Sequence, residues 1–150
     1  MFKVWHPDPE MTFASAHHSG KPNAISCVLE VTNGHYSFWL TGDVERGGEA
    51  IIANEYRSSG ETSVLLMPHH GSATSSSSVF LDAIKPQWAV AQAGYRNRYR
   101  HPNQKVVERY IEREIPILET VNTGAQIWEF KGKHWSRKDW RESQRRSWHQ

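Results

Sequence analysis

The 150-residue sequence predicts a layered α/β domain. Short apolar runs rich in β-branched and aromatic residues recur along the chain, and segments with helical spacing of apolar positions fall between them. Pro, Gly and Asn mark the boundaries. A hydrophobic share of 37% against 23% charged residues suits one soluble globular body and excludes a disordered chain. No apolar run approaches the ~20 residues needed to cross a bilayer. Met1 to Glu10 lack the basic start and apolar stretch of a signal peptide.

Taken in order, Ala24 to Val31 and Tyr36 to Leu40 are partly alternating apolar runs on either side of Asn33-Gly34, a pair that supplies the positive φ of a tight hairpin turn. Gly48 to Tyr56 carries Ile51, Ile52 and Tyr56 near helical spacing. Ser63 to Met67 is continuously apolar, as in a strand covered on both faces, and stops at Pro68. Ser75 to Ser78 offer N-caps for a helix through Phe80, Leu81 and Ile84 that Pro86 ends. Trp88 to Ala91 reads as a further buried strand. Pro102 suits a helix start before Val106 and Tyr110. Pro116 to Leu118 and Ala125 to Phe130 read as two closing strands with a turn at Asn122-Thr123-Gly124. The predicted order is ββ-α-β-α-β-α-β-β, a body over residues 1–130.

The tail, 131–150, is different in kind. It holds seven basic residues against Asp139 and Glu142, a balance of +5 in a chain of net charge +2. The body is therefore mildly acidic and has no dedicated basic face for duplex DNA. Trp135, Trp140 and Trp148 do not share one helical face, so the tail reads as a frayed chain end whose first tryptophan covers the last strand, the alternative being a strand-tracking element whose arginines contact phosphates and whose tryptophans stack on bases. Cys27 is the sole cysteine, which excludes an internal disulfide and any zinc site built on cysteine pairs.

In an α/β body, polar residues directly after buried strands collect on one edge. Three such places stand out: Asp43, the pair His69-His70, and the segment ending in His101. Imidazole is the commonest nitrogen ligand for zinc, and a carboxylate can bridge two cations. Adjacent histidines on an extended chain point apart, so one of His69 and His70 is expected to bind metal and the other to serve the substrate or to hold a metal ligand in place. The plainer alternatives are a hydrogen-bonded core histidine beside a solvated one, and Asp43 as the cap of the following helix. Gly94 to Pro102 packs Tyr95, Arg96, Asn97, Arg98, Tyr99, Arg100 and His101 into one loop. Guanidinium groups match phosphate oxygens and tyrosines stack on bases, although a solvated loop with aromatic anchors would look similar.

LTGDVE at Leu40 to Glu45, MPHHGSATSS at Met67 to Ser76 and AGYRNRYRHPN at Ala93 to Asn103 resemble the corresponding blocks of the ComEC/Rec2 family, as does Asn23-Ala24-Ile25-Ser26. The resemblance runs from Pro22 to Phe130. It implies the second half of a metallo-β-lactamase αββα sandwich. Glycine is usual in that family where Arg100 stands, and the family's first metal motif, a His-x-Asp-x-Asp-His-like cluster, has no counterpart here. Asp43, His69, His70 and His101 would then supply part of a site for zinc or manganese, up to two ions in the complete domain. The missing half would come from a longer parent protein or a partner chain. His6, His17 and His18 do not reproduce the missing cluster and read as loop histidines.

The family implies metal-assisted hydrolysis of DNA phosphodiesters during uptake, with the DNA single-stranded and the parent protein held in a bacterial cytoplasmic membrane, this domain outside the cytoplasm. His101, Asp43 and His70 would be catalytic. Ser72, Tyr95, Arg96, Asn97 and Arg98 would contact substrate. Two rivals remain open: an incomplete module that binds nucleic acid and hydrolyses nothing, and a small-molecule hydrolase of the same superfold. Half a sandwich would leave Val64, Leu66, Trp88 and Val90 in need of a cover, so association with a partner or a second copy is also expected.

Overall fold

In a computed structural model, which describes residues 1–7, 22–57 and 61–144, the Asn33-Gly34 turn joins β2 (Val28–Thr32) to β3 (Tyr36–Leu40), with Gly34 at φ +88°. Asn33 Oδ1 accepts from the backbone N–H of His35 and of Tyr36, closing the turn. The run from Ala24 becomes extended only at Val28, because Pro22–Ile25 forms a single 3₁₀ turn. A strand absent from the sequence reading, β1 (Phe2–His6), pairs antiparallel with β2.

From β3 onward the sheet is parallel: β4 (Glu61–Leu66), β5 (Trp88–Ala91) and β6 (Ile117–Glu119) add in chain order. The helices α1 (Arg46–Glu55), α2 (Ser78–Ile84) and α3 (Gln104–Ile111) make the connections between them. The sheet order is β1-β2-β3-β4-β5-β6. The mixed α/β layering expected from the sequence is what forms. Trp39, Leu65, Ala89 and Ala91 share one face with Ile52, Phe80, Leu81, Val106 and Tyr110 in the buried core.

The opposite face carries Phe38, Val64, Leu66, Trp88 and Val90. The sequence leaves it in need of a cover, and the chain's own C-terminal segment supplies part of one. The last predicted strand does not close the main sheet. Instead β7 (Gln126–Lys131) pairs with β8 (His134–Asp139) in a separate antiparallel hairpin. Trp128 and Trp135 pack their rings against Trp88 at 6.1 and 6.0 Å, and Phe130 stacks on Tyr36 at 5.3 Å. The Tyr36 hydroxyl donates to the Lys133 carbonyl. The segment expected to be a frayed end is therefore a strand through Asp139, because its alternating Trp135 and Arg137 face the same aromatic cluster. Trp148 lies outside the described residues. The turn foreseen at Asn122 to Gly124 is a short helix, α4 (Thr120–Thr123), and a second one, α5 (Trp140–Ser143), follows β8.

The N-terminal edge of the same face stays open, with Phe2 75% and Val4 59% exposed. No helix among the described residues is long and apolar enough to cross a membrane.

Candidate functional site

Three loops follow the carboxyl ends of the parallel strands β3, β4 and β5, the edge at which ligands bind in open α/β sheets. The first is Thr41 to Glu45. Gly42 sits at φ +51°, and a Cβ there would lie 2.9 Å from Ser26 Oγ, so a larger residue would push the turn off its support. Ser26 Oγ in turn accepts the backbone N–H of Asp43. The Asn23 to Ser26 segment thus fixes the carboxylate's position. The capping alternative for Asp43 does not hold, because Glu45 is the N-cap of α1.

The second loop, Pro68 to Ser77, departs from the expectation that successive histidines point apart. His69 (φ 48°), His70 (φ 56°) and Gly71 (φ 82°) all take left-handed backbone conformations, so the chain is not extended and both imidazoles reach one locus, with ring centroids 6.4 Å apart. Two non-glycine residues in this region mark local strain of the sort that clusters at functional sites. The backbone N–H of His69 donates to the Gly42 carbonyl, tying this loop to the first.

The loop is braced from below by Glu49 of α1, a wholly buried carboxylate that accepts the backbone N–H groups of Ser76 and Ser77. Burial raises its pKa above the ordinary carboxylate value, and these hydrogen bonds together with the Arg109 charge oppose the rise. Ser76 also shares a hydrogen bond with the buried Tyr110 hydroxyl. Ser72, expected to touch substrate, directs its hydroxyl to Thr74 Oγ1 at 3.1 Å.

The third loop runs from Gln92 to Asn103. Asn97 accepts the backbone N–H of His101 and donates to the His101 carbonyl and to Gly94, so its amide is spent on holding the loop rather than on substrate. Pro102 stands against Gly71, where a Cβ would lie 2.6 Å from Pro102 Cβ, and the Asn103 N–H donates to the Gly71 carbonyl. The second and third loops are therefore in direct backbone contact. Tyr95, Arg96, Arg98, Tyr99 and Arg100 are exposed. Arg96 lies over the Tyr95 ring, and Arg98 over the Tyr99 ring while donating to its hydroxyl.

Together these loops bring Asp43, His69, His70 and His101 to one place. His70 Nε2 lies 3.5 Å from Asp43 Oδ1, and the His101 ring lies 6.1 Å from that of His69. Glu45, which the sequence reading passed over, places Oε1 3.4 Å from His69 Nδ1, a separation without hydrogen-bond alignment. The signal was present in the run Asp43-Val44-Glu45, two residues beyond the carboxylate chosen. Burial, and then the positive charge that His69 and His70 can carry, lowers the pKa of His101 below the usual histidine value. His101 is therefore neutral at pH 7, and its Nδ1 is buried without a hydrogen-bond partner.

Metal ligands sit about 2 Å from the ion they share. The donor chemistry here is that of zinc or manganese, yet among the described residues no three His, Cys, Asp or Glu groups surround a common point closely enough to hold an ion. These residues alone do not make a complete metal centre. His6, read as a loop histidine, is instead buried at the end of β1 with Nδ1 on the Ser26 carbonyl. His17 and His18 lie outside the described residues.

No family model matches the chain. Competence protein ComA of Neisseria gonorrhoeae is 43% identical over 103 residues, 69% of this chain and 15% of the relative. ComE operon protein 3 of Bacillus subtilis is 35% identical over 111 residues, 74% of this chain and 14% of the relative. The chain is a homologue of a segment of the ComEC/Rec2 proteins. Recombination protein 2 of Haemophilus influenzae, 36% identical over 102 residues, covers 68% of the chain with 13% of its own length. This ComEC/Rec2 segment thus spans about a seventh of the relatives it matches.

Proposed function

We propose that this segment forms part of a phosphodiester-hydrolysing site in a DNA-uptake protein of the ComEC/Rec2 family. The observation that carries the reading is the meeting of Asp43, His69, His70 and His101 beside an exposed loop of three arginines and two tyrosines. The relative named as a competence protein, ComA of Neisseria gonorrhoeae, supports the biological setting. The rest of the site comes from outside the described residues. There a divalent ion, zinc or manganese, held jointly by Asp43, His70 and ligands from elsewhere in the protein, would acidify a water for attack on phosphorus.

This chain's own residues then have distinct tasks. Asp43 and His70 act as a pair at the reacting centre. Glu45 adds a second carboxylate beside His69. His101, neutral at pH 7, offers one ring nitrogen to the site. Arg96 and Arg98 offset the charge of the phosphate, and the strand they bind is single-stranded DNA.

In the protein expressed from its complete gene, Asp43→Asn or His70→Ala should abolish metal-dependent cleavage of a single-stranded oligonucleotide while leaving its binding within about threefold. Undiminished cleavage by both variants would remove the reading. A second reading, a binding module without hydrolysis, is favoured by the lack of three converging ligands among the described residues. It predicts that the complete wild-type protein binds the oligonucleotide and leaves it intact.

A further inference from the structure

The third loop separates two concavities. One, of about 470 Å³, is bordered by Tyr95, Arg96 and Arg100. The other, of about 260 Å³, lies on the His70 side and is lined by Gln92, Ala93, Gly94, Tyr99 and His101 together with His70. The two differ in chemistry. The arginine side offers cationic donors to phosphate oxygens. The His70 side offers flat rings, small residues and two primary amides, of which that of Asn97 is held by the loop and that of Gln92 makes no hydrogen bond among the described residues.

We propose that the smaller pocket takes one unpaired nucleobase, next to the phosphate that reacts beside His70 and Asp43. The assignment rests on the nucleic-acid reading above and specifies which part of the substrate sits where. A volume of about 260 Å³ accommodates a single base and falls short of the usual drug-sized cavity. Tyr99 is stacked on His101 at 5.8 Å and 18° with Arg98 over its ring, and it remains 64% exposed, so the stacked pair gives the pocket an aromatic border against which one base can lie. Gln92 stands at the rim with a donor and an acceptor suited to a base edge. Asn97, whose amide is committed to the loop, sets the shape of the pocket rather than reading the base. A base can enter only if it is neither paired nor stacked in a duplex, because extrusion costs unstacking and unpairing energy. Substrate choice between single and double strands then follows from pocket geometry.

The test uses the 150-residue chain and three fluorescein-labelled probes: a ten-nucleotide oligothymidylate, a strand of the same length made wholly of abasic sites, and a ten-base-pair duplex. Anisotropy titrations at fixed salt should show the intact strand binding on the order of tenfold more tightly than the other two. Tyr99→Ala should weaken binding of the intact strand about tenfold and have no further effect on the abasic one, whereas Tyr99→Phe keeps the stack and should bind as wild type. Circular dichroism confirms that each variant is folded. Equal affinity for intact and abasic strands, with binding still lost in Arg96→Ala/Arg100→Ala, would overturn the base pocket and leave the nucleic-acid reading standing. No binding of any probe by the wild-type chain would overturn both.

Discussion

Glu49 illustrates how a residue remote from the chemistry sets the shape of a site. Its two carboxylate oxygens satisfy the Ser76 and Ser77 N–H groups, which open the helix that follows the histidine loop. Glu49→Gln keeps the size but turns one acceptor into a donor facing an N–H, so it should cost about 1–3 kcal/mol at pH 7 in urea unfolding. The pH dependence has a definite sign. The folded-state pKa lies above the unfolded value of 4.5, so the native state holds its proton more tightly, and this contribution to stability is full below 4.5 and fades as pH rises through the folded pKa. The wild-type advantage over Glu49→Gln should therefore widen between pH 7 and pH 4.5, and a constant gap would show that Glu49 does not titrate in that window. His69 and His70 pose a different question, because each holds a left-handed backbone. Replacing His70 by glycine should leave the protein about 0.5–1 kcal/mol more stable than replacing it by alanine, although both lose the imidazole. The histidine pair was legible in the sequence because it follows a buried strand. The partnerships of Glu45 and Glu49 were not, since they reach Thr74 and Ser76, 29 and 27 residues away, through a turn that no local pattern encodes.

Among the elements, the parallel strands and their helices could be read directly: continuous apolar runs ended by Pro68 and Pro86 leave little choice. The edges of the fold were harder. Phe2–His6 is short and interrupted by Pro7, and it becomes a strand only by pairing with β2, roughly 25 residues later. The β7–β8 hairpin was half seen. Its first strand has a clean period of two, whereas the second mixes Trp135 with Arg137 and Lys138 and reads as a charged tail until Trp88 is in place to receive it. Arg137 lies over both Trp88 and Trp128, so its charge faces ring surfaces rather than an apolar core. Trp128→Ala should cost about 2 kcal/mol, roughly half the value for a fully buried tryptophan. The emission of the remaining tryptophans should shift to the red as Trp88 is uncovered. An unshifted spectrum with an unchanged Tm would show that the hairpin does not hold to the sheet in solution.

For the molecule as a whole, the carboxyl-end loops are linked in series: Ser26 to Asp43, Gly42 to His69, Gly71 to Asn103. The last link leaves no room for a side chain, since a Cβ on Gly71 would lie 2.6 Å from Pro102 Cβ, so Gly71→Ala should part the second and third loops, lower Tm by several degrees and weaken oligonucleotide binding even though Gly71 touches no ligand. The opposite end of the molecule has another consequence, a kinetic one. Strand β1 is the open edge of a six-stranded sheet, and Phe2 and Val4 leave its outward face uncovered. During refolding from urea, such an edge presents unpaired backbone groups to other chains before the sheet is complete, and capture by a neighbour competes with folding. The yield of monomeric native protein should consequently fall as the chain is refolded at higher concentration, and Val4→Lys, which places a charge on the edge, should restore it.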